Sequence, residues 1–410
     1  MPLAAQADGK TAAPATGPVL VLKTSQAEIA SMVAMNLALE QEMPEAPEGG
    51  HYVLSLGADR KFQLATGTGD VGLLDLSGDP GALMDLFAEE VAGYKPMVQG
   101  SLTLLMQSQG ATAKDVAAFT NSLFDLPKQM QRLTLVVTGD PEDPTVEGID
   151  IKLGLEPKAG TGFASFASAM QPASQGAPML AGGKNLMEMQ FCLAPDSLAL
   201  MSSPLLDWAI SLTNQDEEQR KQAAAMTAQM MKSFDGGLSM AMDAKMQGWL
   251  LVGMQDGEKL REMVDSEAYQ TLMKGQKMAS RDVEMEVTLN AFEHRGAKVS
   301  KTKISGEPNP MMPDGTMESF FAAVGNYMTV SMGGGDANAK AVIDAVSDNK
   351  LKRTPIANGA VMSMVLDLHA MMVMTQPELA DMDLEGQVPK AATVTFGKHG
   401  KGLQLHVHVQ

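Results

Sequence analysis

Pairs of methionines spaced two residues apart are the first feature of this sequence that could bind a ligand. The chain has 35 Met among its 410 residues. On a β-strand, residues two apart point to the same face of the sheet. Each pair is therefore predicted to place two thioethers side by side: Met187 and Met189, Met240 and Met242, Met362 and Met364, Met372 and Met374.

The methionine pairs allow three interpretations. Unbranched thioether side chains fill irregular gaps, so they are suited to packing between a sheet and its helices. The same softness suits a groove for apolar ligands of variable shape. Thioethers also coordinate Cu(I), here with help from His369 beside Met371 and Met372.

Two histidines near the end of the sequence form a candidate metal site. His406 and His408 alternate along the last predicted strand, so they share a face about 7 Å apart. His399 is predicted to lie in the preceding turn, about 20 Å away by the rise of a strand, which is too far for a third ligand. The alternative is a terminal strand that carries two half-buried imidazoles.

The single cysteine and one glycine motif are predicted to be structural. Cys192 lies in the apolar run LMEMQFCLAP, where a thiol behaves as a small core residue. The run GTGDVG, residues 67–72, formally matches a dinucleotide fingerprint, which requires a helix directly behind it. Gly78 and Pro80 interrupt the residues that follow, so we interpret the run as a hairpin turn.

Two further motifs fail on spacing or geometry. The run DMDLEG, residues 381–386, begins like a calcium loop, but Ala392 stands where a bidentate Glu is required. Ser300 and Lys303 have the spacing of a nucleophile pair, but they would point to opposite faces of a strand. No nucleophile elbow, phosphate loop or zinc-protease motif occurs, so the sequence predicts no enzyme and no cofactor.

Composition narrows the classes of partner. The 31 basic and 49 acidic residues leave a net charge of −18, which disfavours nucleic acid and anionic lipid surfaces. Apolar residues make up 45% of the chain, enough for a globular core, and no run approaches the roughly 18 apolar residues of a transmembrane helix. We expect a folded chain without a transmembrane segment.

The first residues indicate export. Ala5-Gln6-Ala7 has the form of a signal-peptidase site, and a tail rich in Ala, Pro and Thr follows it. A single cysteine suits an oxidising compartment. We therefore predict a bacterial protein of the periplasm or cell exterior with a disordered tail, residues 1–17.

Two predicted hairpins suggest internal duplication. Residues 133–155 and 283–305 each alternate around a turn, and each leads into Glu-Pro, Gly-Thr and Ser-Phe in the same order. Thr161 and Thr316 are then predicted to cap equivalent helices. Residues 237–243 recur as residues 359–367, and a terminal hairpin follows, which suggests a partial third copy.

These elements predict an α+β fold of duplicated antiparallel sheet lobes with helices packed on one face. A further helix is expected at residues 110–131. The predicted organisation after the tail is a first lobe at 18–214, a bridging helix at 215–235, a second lobe at 236–355, and a partial third repeat at 356–410 that completes the sheet.

The chain also resembles exported bacterial proteins of unknown function that repeat a hairpin-and-helix unit. Three successive stretches carry the resemblance: DIKLGLEPKAGTGFASFASAM, DGGLSMAMDAKMQGWLLVGMQD and YMTVSMGGGDANAKAVIDAV. It covers about residues 49–375. It implies a repeated α+β fold and export, and it supplies no site residues.

Three functions follow as hypotheses. The first is a non-enzymatic scaffold or binding protein of the bacterial cell envelope that holds an apolar ligand such as lipid in a Met/Leu-lined groove. The second is a structural protein that self-associates or docks an envelope partner through strand edges or helix faces. The third is copper or zinc handling.

Overall fold

The computed structural model describes most of the chain. The described residues are 18–36, 44–68, 71–107, 113–139, 148–180, 184–197, 232–266, 284–308, 314–376 and 389–410, with residues 225, 229, 269 and 270.

Strands dominate the described part of the chain. In chain order they are β1 (Leu20–Thr24), β2 (Gly50–Leu56), β3 (Phe62–Thr68), β4 (Leu74–Gly78), β5 (Met130–Thr138), β6 (Ile149–Pro157), β7 (Ala177–Leu180), β8 (Met187–Cys192), β9 (Phe234–Met242), β10 (Gly248–Met254), β11 (Glu284–His294), β12 (Ala297–Ser305), β13 (Thr316–Val324), β14 (Tyr327–Met332), β15 (Leu351–Thr354), β16 (Ala360–Asp367), β17 (Ala391–His399) and β18 (Gly402–Val409).

Helices connect many of these strands. They are α1 (Ala27–Asn36), α2 (Pro80–Leu86), α3 (Ala88–Gln107), α4 (Ala113–Asp125), α5 (Gly162–Ala169), α6 (Gly257–Asp265), α7 (Gly335–Ser347) and α8 (Leu368–Thr375). Short 3₁₀ turns cover Pro127–Gln129 and Ala357–Gly359. Helix α4 confirms the core of the helix predicted at 110–131.

Sixteen strands form one antiparallel sheet. Their order is β11-β12-β13-β14-β10-β9-β8-β16-β17-β18-β6-β5-β4-β1-β2-β3, and β15 pairs with β7 in a separate ribbon. The mixed α+β class is confirmed. The terminal hairpin is confirmed as β17–β18, which inserts between β16 and β6.

Turn residues set the tight hairpins. Between β11 and β12, Arg295 and Gly296 have φ of 50° and 78°. A two-residue hairpin whose twist matches its strands requires positive φ at both central positions. Glycine adopts that conformation without a steric penalty, so Gly296 helps to fix the register of this edge hairpin.

The predicted equivalence of Thr161 and Thr316 is wrong. Thr161 caps α5, and its hydroxyl accepts a hydrogen bond from the Ala164 amide at 3.2 Å. Thr316 instead begins strand β13, where Phe320 and Ala322 alternate into a core. Period-two burial and pairing on both sides outweigh the local helix-start signal. Duplication itself stays a prediction.

Helices cover both faces of the sheet, which corrects the prediction of one covered face. Helix α7 packs Val342 and Ile343 against Phe320 of β13. Helix α6 packs Leu260 against Val252 of β10, which points to the other face. Near this end of the sheet, successive strand residues are apolar on both sides, so both sides must be buried.

A strand–helix–hairpin unit recurs in the topology. In β1-α1-β2-β3 and in β16-α8-β17-β18, three consecutive strands are neighbours in the sheet, and a helix joins the first two. Strands β4, β5 and β6 repeat this order with α2, α3 and α4 in the connection. The predicted bridging helix at 215–235 lies mostly outside the described residues, although 225, 229, 232 and 233 are helical and β9 begins at Phe234.

Candidate functional site: the methionine face

Three of the four predicted methionine pairs meet on one face of three neighbouring strands. Strands β9, β8 and β16 are adjacent, and the Cα partners run Met240–Met189–Met364. Two residues farther along these strands, on the same face, Met187 is the partner of Met242. The predicted alternation within each strand is confirmed. We call this side of the sheet the methionine face.

The fourth pair does not belong to this face. Met372 and Met374 lie in helix α8, so the strand predicted for them is wrong. Residues two apart on a helix are separated by about 200° around its axis. The Asp367 carboxylate caps α8 by accepting from the Ala370 amide at 2.8 Å. An Asp directly before an apolar run is the local signal that indicates this helix start.

The methionines belong to a longer row of apolar side chains, which we call the Met189 row. It takes one residue from each of eleven adjacent strands, β13 to β4. Its members, in sheet order, are Phe321, Val330, Leu250, Met240, Met189, Met364, Val394, Val407, Ile151, Val137 and Leu74. None of them is polar.

A second apolar row, the Phe191 row, runs beside the first and crosses every strand of the large sheet except β11 and β12. Its members are Ala323, Met328, Val252, Leu238, Phe191, Met362, Phe396, Leu405, Leu153, Leu135, Leu76, Leu22, Leu54 and Leu64. The two rows form a broad apolar strip.

The Met189 row is only partly buried. Every one of its members is half-buried, whereas Leu251, the neighbour of Leu250 on the opposite side of β10, is 0% exposed. None of its members is among the exposed large apolar side chains of the described residues, so the row is half-buried and not an open surface.

Two helices pack on the methionine face and cover part of the Phe191 row. Helix α5 packs Phe163 and Ala167 near Leu155, Phe191 and Phe396. Helix α6 packs Leu260 and Met263 near Leu238, Leu250 and Met328. Strands β9, β8 and β16, which carry the methionines, lie in the sheet order between the main contacts of α6 (β13) and of α5 (β18 and β6). In the sheet order the methionines thus lie between these two helices, and α8 contacts β16 and β17.

The opposite face carries polar residues in the middle of the sheet. They are Glu188 and Gln190 of β8, Ser363 of β16, Thr395 of β17 and His406 of β18. The sheet is thus amphipathic across its centre. At β9 this side is covered by β7, where Ser239 is 0% exposed and donates a hydrogen bond to the Pro178 carbonyl. The polar residues farther along are half-buried.

His406 and His408 share the opposite face, as predicted, but they contact Asp150 rather than a third histidine. His406 Nε2 hydrogen-bonds to Asp150 Oδ1, and His408 Nδ1 lies 3.2 Å from the same oxygen. Burial disfavours the charged Asp150 carboxylate, but the hydrogen bond from His406 and the charges of both imidazoles outweigh it and lower the pKa of Asp150.

Sequence reasoning missed Asp150, because β6 and β18 are far apart in the chain and no local pattern indicates their pairing. Within the described residues, no group of three or more His, Cys, Asp or Glu side chains is arranged to hold a metal ion. His399 ends β17 and is exposed, and His369 lies on α8. The metal hypothesis stays a prediction.

The remaining motifs behave structurally where they are described. Cys192 is 1% exposed, and burial raises the pKa of its thiol. Ser300 and Lys303 point to opposite faces of β12, as expected. Gly67 lies in β3, and the next helix, α2, begins only at Pro80. The DMDLEG run lies outside the described residues.

Comparisons do not assign the chain to a known group. Searches against protein-family models, curated proteins and solved structures find no match. Among the described residues, no helix is long and apolar enough to span a membrane. The site must therefore be interpreted from its own geometry.

Proposed function

We propose that this chain is a non-enzymatic binding protein of the bacterial cell envelope that holds an apolar ligand, of lipid type, against the methionine face. The observation that supports it is the Met189 row, which is apolar in all its members and fully buried in none. Thioethers on β9, β8 and β16 give this face an adaptable surface, since Met re-packs around guests of different shape.

Burial of this surface would supply enough free energy for binding. Covering about 300 Å² of apolar surface contributes roughly 7 kcal/mol at about 25 cal/mol per Å², before the cost of association is subtracted. A hydrocarbon loses nothing by leaving water for this strip, whereas a polar ligand would leave hydrogen bonds unmade.

The uncharged fluorophore N-phenyl-1-naphthylamine tests the proposal on delipidated protein. We expect fluorescence enhancement that a fatty acid displaces. Met189→Lys should weaken probe binding at least tenfold, because it places a charge in the centre of the strip. Gln190→Lys is the matched control, since Gln190 is the next residue of β8 and points to the opposite face.

Three results bear on the proposal. Loss of binding in Met189→Lys alone supports it, provided that both variants keep the wild-type circular dichroism and urea midpoint. Equal loss in both variants, or no binding by the wild type, contradicts it.

Export belongs to the same proposal and predicts recovery of the natural protein in the periplasmic or extracellular fraction of its source cells. Recovery in the cytoplasm contradicts it.

A second candidate, self-association through a strand edge, is favoured by the contrast between the two ends of the sheet. The edge strand β11 carries Glu284, Glu286 and Glu293, which discourage pairing with another chain. The other edge strand, β3, has the uncharged sequence FQLATGT and no described strand on its outer side. Sedimentation velocity of the wild type and of Ala65→Lys separates the two functions, because only self-association predicts a dimer that the charge abolishes.

The recurring strand–helix–hairpin unit supports a repeat origin of the sheet, which we include in the proposal. Units that each add three strands extend one apolar strip, so duplication would lengthen the binding surface without a new fold.

A further inference from the structure

One exposed turn carries the only Asn-Gly dipeptide of the sequence. Asn358 and Gly359 lie in the 3₁₀ turn Ala357–Gly359, which joins β15 to β16. Both residues are exposed, and both have positive φ, 59° and 70°. A Cβ built on Gly359 would meet no atom within 4 Å beyond its chain neighbours, so water and base have access to this backbone amide.

An asparagine side chain that precedes glycine is able to react with the backbone. Base removes the amide proton of Gly359, and the nitrogen attacks Cγ of Asn358. The new C–N bond closes a succinimide ring, while the Cγ–Nδ2 bond breaks and ammonia leaves. Water then opens the ring at one of its two carbonyls and gives either aspartate or isoaspartate, whose main chain contains one additional carbon. Glycine favours ring closure because it lacks a side chain and leaves the backbone free to reach the required conformation.

Asn349 provides a comparison in a neighbouring turn. It is also exposed, and its φ is 56°. The residue after it is Lys350, whose side chain lies next to the nitrogen that would attack. The Lys350 amide also donates a hydrogen bond to the Ala345 carbonyl at 2.9 Å, which fixes the backbone at the end of α7. Asn349 therefore shares the exposure and backbone conformation of the Asn-Gly site and lacks its glycine.

The Asp-Gly dipeptides of the described residues are held more tightly. Asp235 pairs with Arg353, and its side chain is 9% exposed. Asp256 caps α6 by accepting hydrogen bonds from two backbone amides. Asp314 precedes a glycine that is packed closely against the Gly306 carbonyl. An ionised carboxylate is also a weaker electrophile than an amide, so ring closure meets the least resistance in the turn before β16.

This turn leads into a closely packed part of the sheet. Strand β16 begins at Ala360, and a Cβ built on Gly397 of β17 would lie 2.6 Å from the Ala360 Cα. Val361, the next residue, is 0% exposed. The additional main-chain carbon of isoaspartate would disturb this packing, whereas aspartate adds only a charge.

We propose that Asn358 is a modification site, at which the folded protein deamidates without an enzyme and accumulates isoaspartate at the entrance to β16. The substrate is the protein's own side-chain amide, and water is the only co-reactant. Each molecule acquires a negative charge and a weakened start of β16 as it ages. The turn contributes no residue to either apolar row, so the modification is independent of the proposed ligand.

Peptide mapping of the folded full chain, incubated at mildly alkaline pH, tests the assignment. We expect Asn358 to lose its amide before Asn349, with isoaspartate identified by electron-transfer fragmentation. Asn358→Gln should abolish the new acidic species, because glutamine would have to close a larger ring. Equal rates at the two asparagines overturn the proposal. Retention of the Asn358 amide in the folded chain also overturns it, and loss of that amide in urea would then show that the fold protects the site.

Urea unfolding tests the effect on β16. The isoaspartate form, separated by ion exchange, should unfold at a lower urea concentration than the variant Asn358→Asp. That variant is the matched control, since it carries the same charge without the additional main-chain carbon. Equal urea midpoints overturn the predicted disturbance at the start of β16.

Discussion

Leu250 and Leu251 are neighbours in β10, yet they end in opposite environments. Leu251 is fully buried with Phe320 and Val299 beneath α7, whereas Leu250 belongs to the Met189 row and stays partly exposed. The same residue type thus meets a packed core on one face and a partly open strip on the other. Helix α7 covers Leu251 completely, whereas α6 packs near Leu250 and leaves it partly exposed.

The largest loss of unfolding free energy is expected in the core beneath α7. Phe320→Ala should destabilise the protein by about 3–5 kcal/mol, because Phe320 is 2% exposed and its removal leaves a cavity beneath α7. Met189→Ala, on the partly open strip, should cost less than about 2 kcal/mol. Urea unfolding of both variants checks the comparison, which fails if the two losses are equal.

The ribbon of β7 and β15 packs Leu180 and Leu351 against the core beneath α7, and an ion pair joins this ribbon to the large sheet. Arg353 of β15 pairs with Asp235 of β9, whose side chain is 9% exposed, and the Arg353 guanidinium lies 5.4 Å from the ring centre of Tyr327. Arg353→Met should cost about 2 kcal/mol, because it leaves the Asp235 carboxylate unpaired and largely buried. Urea unfolding measures the loss; Arg353→Met with Asp235→Asn should recover part of it, and no recovery would contradict the pairing argument.

Oxidation should affect the methionine face selectively. Hydrogen peroxide converts a thioether to a polar sulfoxide, with water as the other product. We expect ligand affinity to fall about tenfold, equal to about 1.4 kcal/mol, once Met189, Met240 and Met364 are oxidised. Met254, 2% exposed, should resist, and Met35, 76% exposed, should react first without effect.

Peptide mapping by mass spectrometry assigns each sulfoxide in that experiment. The triple variant Met189→Leu, Met240→Leu and Met364→Leu should keep binding and lose its sensitivity to peroxide. Unchanged affinity in wild-type protein whose three methionines are fully oxidised would show that the strip does not carry the ligand.

The smallest effect on stability is expected from Asp150 on the opposite, polar face of the sheet. Because the folded pKa of Asp150 is lowered, its ion pairs stabilise the protein above the unfolded value, near 3.8, and that contribution disappears as the pH falls through the folded pKa. The amount should stay below about 1 kcal/mol, since water screens the cluster. Urea unfolding at pH 7 and pH 3 should show a smaller acid loss for Asp150→Asn than for the wild type.

The sequence predicts local features such as strand alternation, and it makes no prediction of the strand order in the sheet. Alternation placed Met187 with Met189 and His406 with His408 on common faces, because side-chain direction depends only on neighbouring residues. The contact of Met364 with Met189 depends on pairing between strands far apart in the chain, and the sequence holds no local record of that pairing. The sequence predicts a helix start at Thr316 because its neighbours resemble those of Thr161, whereas pairing with β12 places it in a strand.

The position of the final strands has a consequence for how the protein folds. Strands β16, β17 and β18 fill the space between β8 and β6, so the strands made earlier form two separate blocks until this segment arrives. Such long-range pairing makes folding slow. Until residues 360–409 are in place, the facing edges of β8 and β6 have no strand between them, and unpaired edges of this kind favour aggregation.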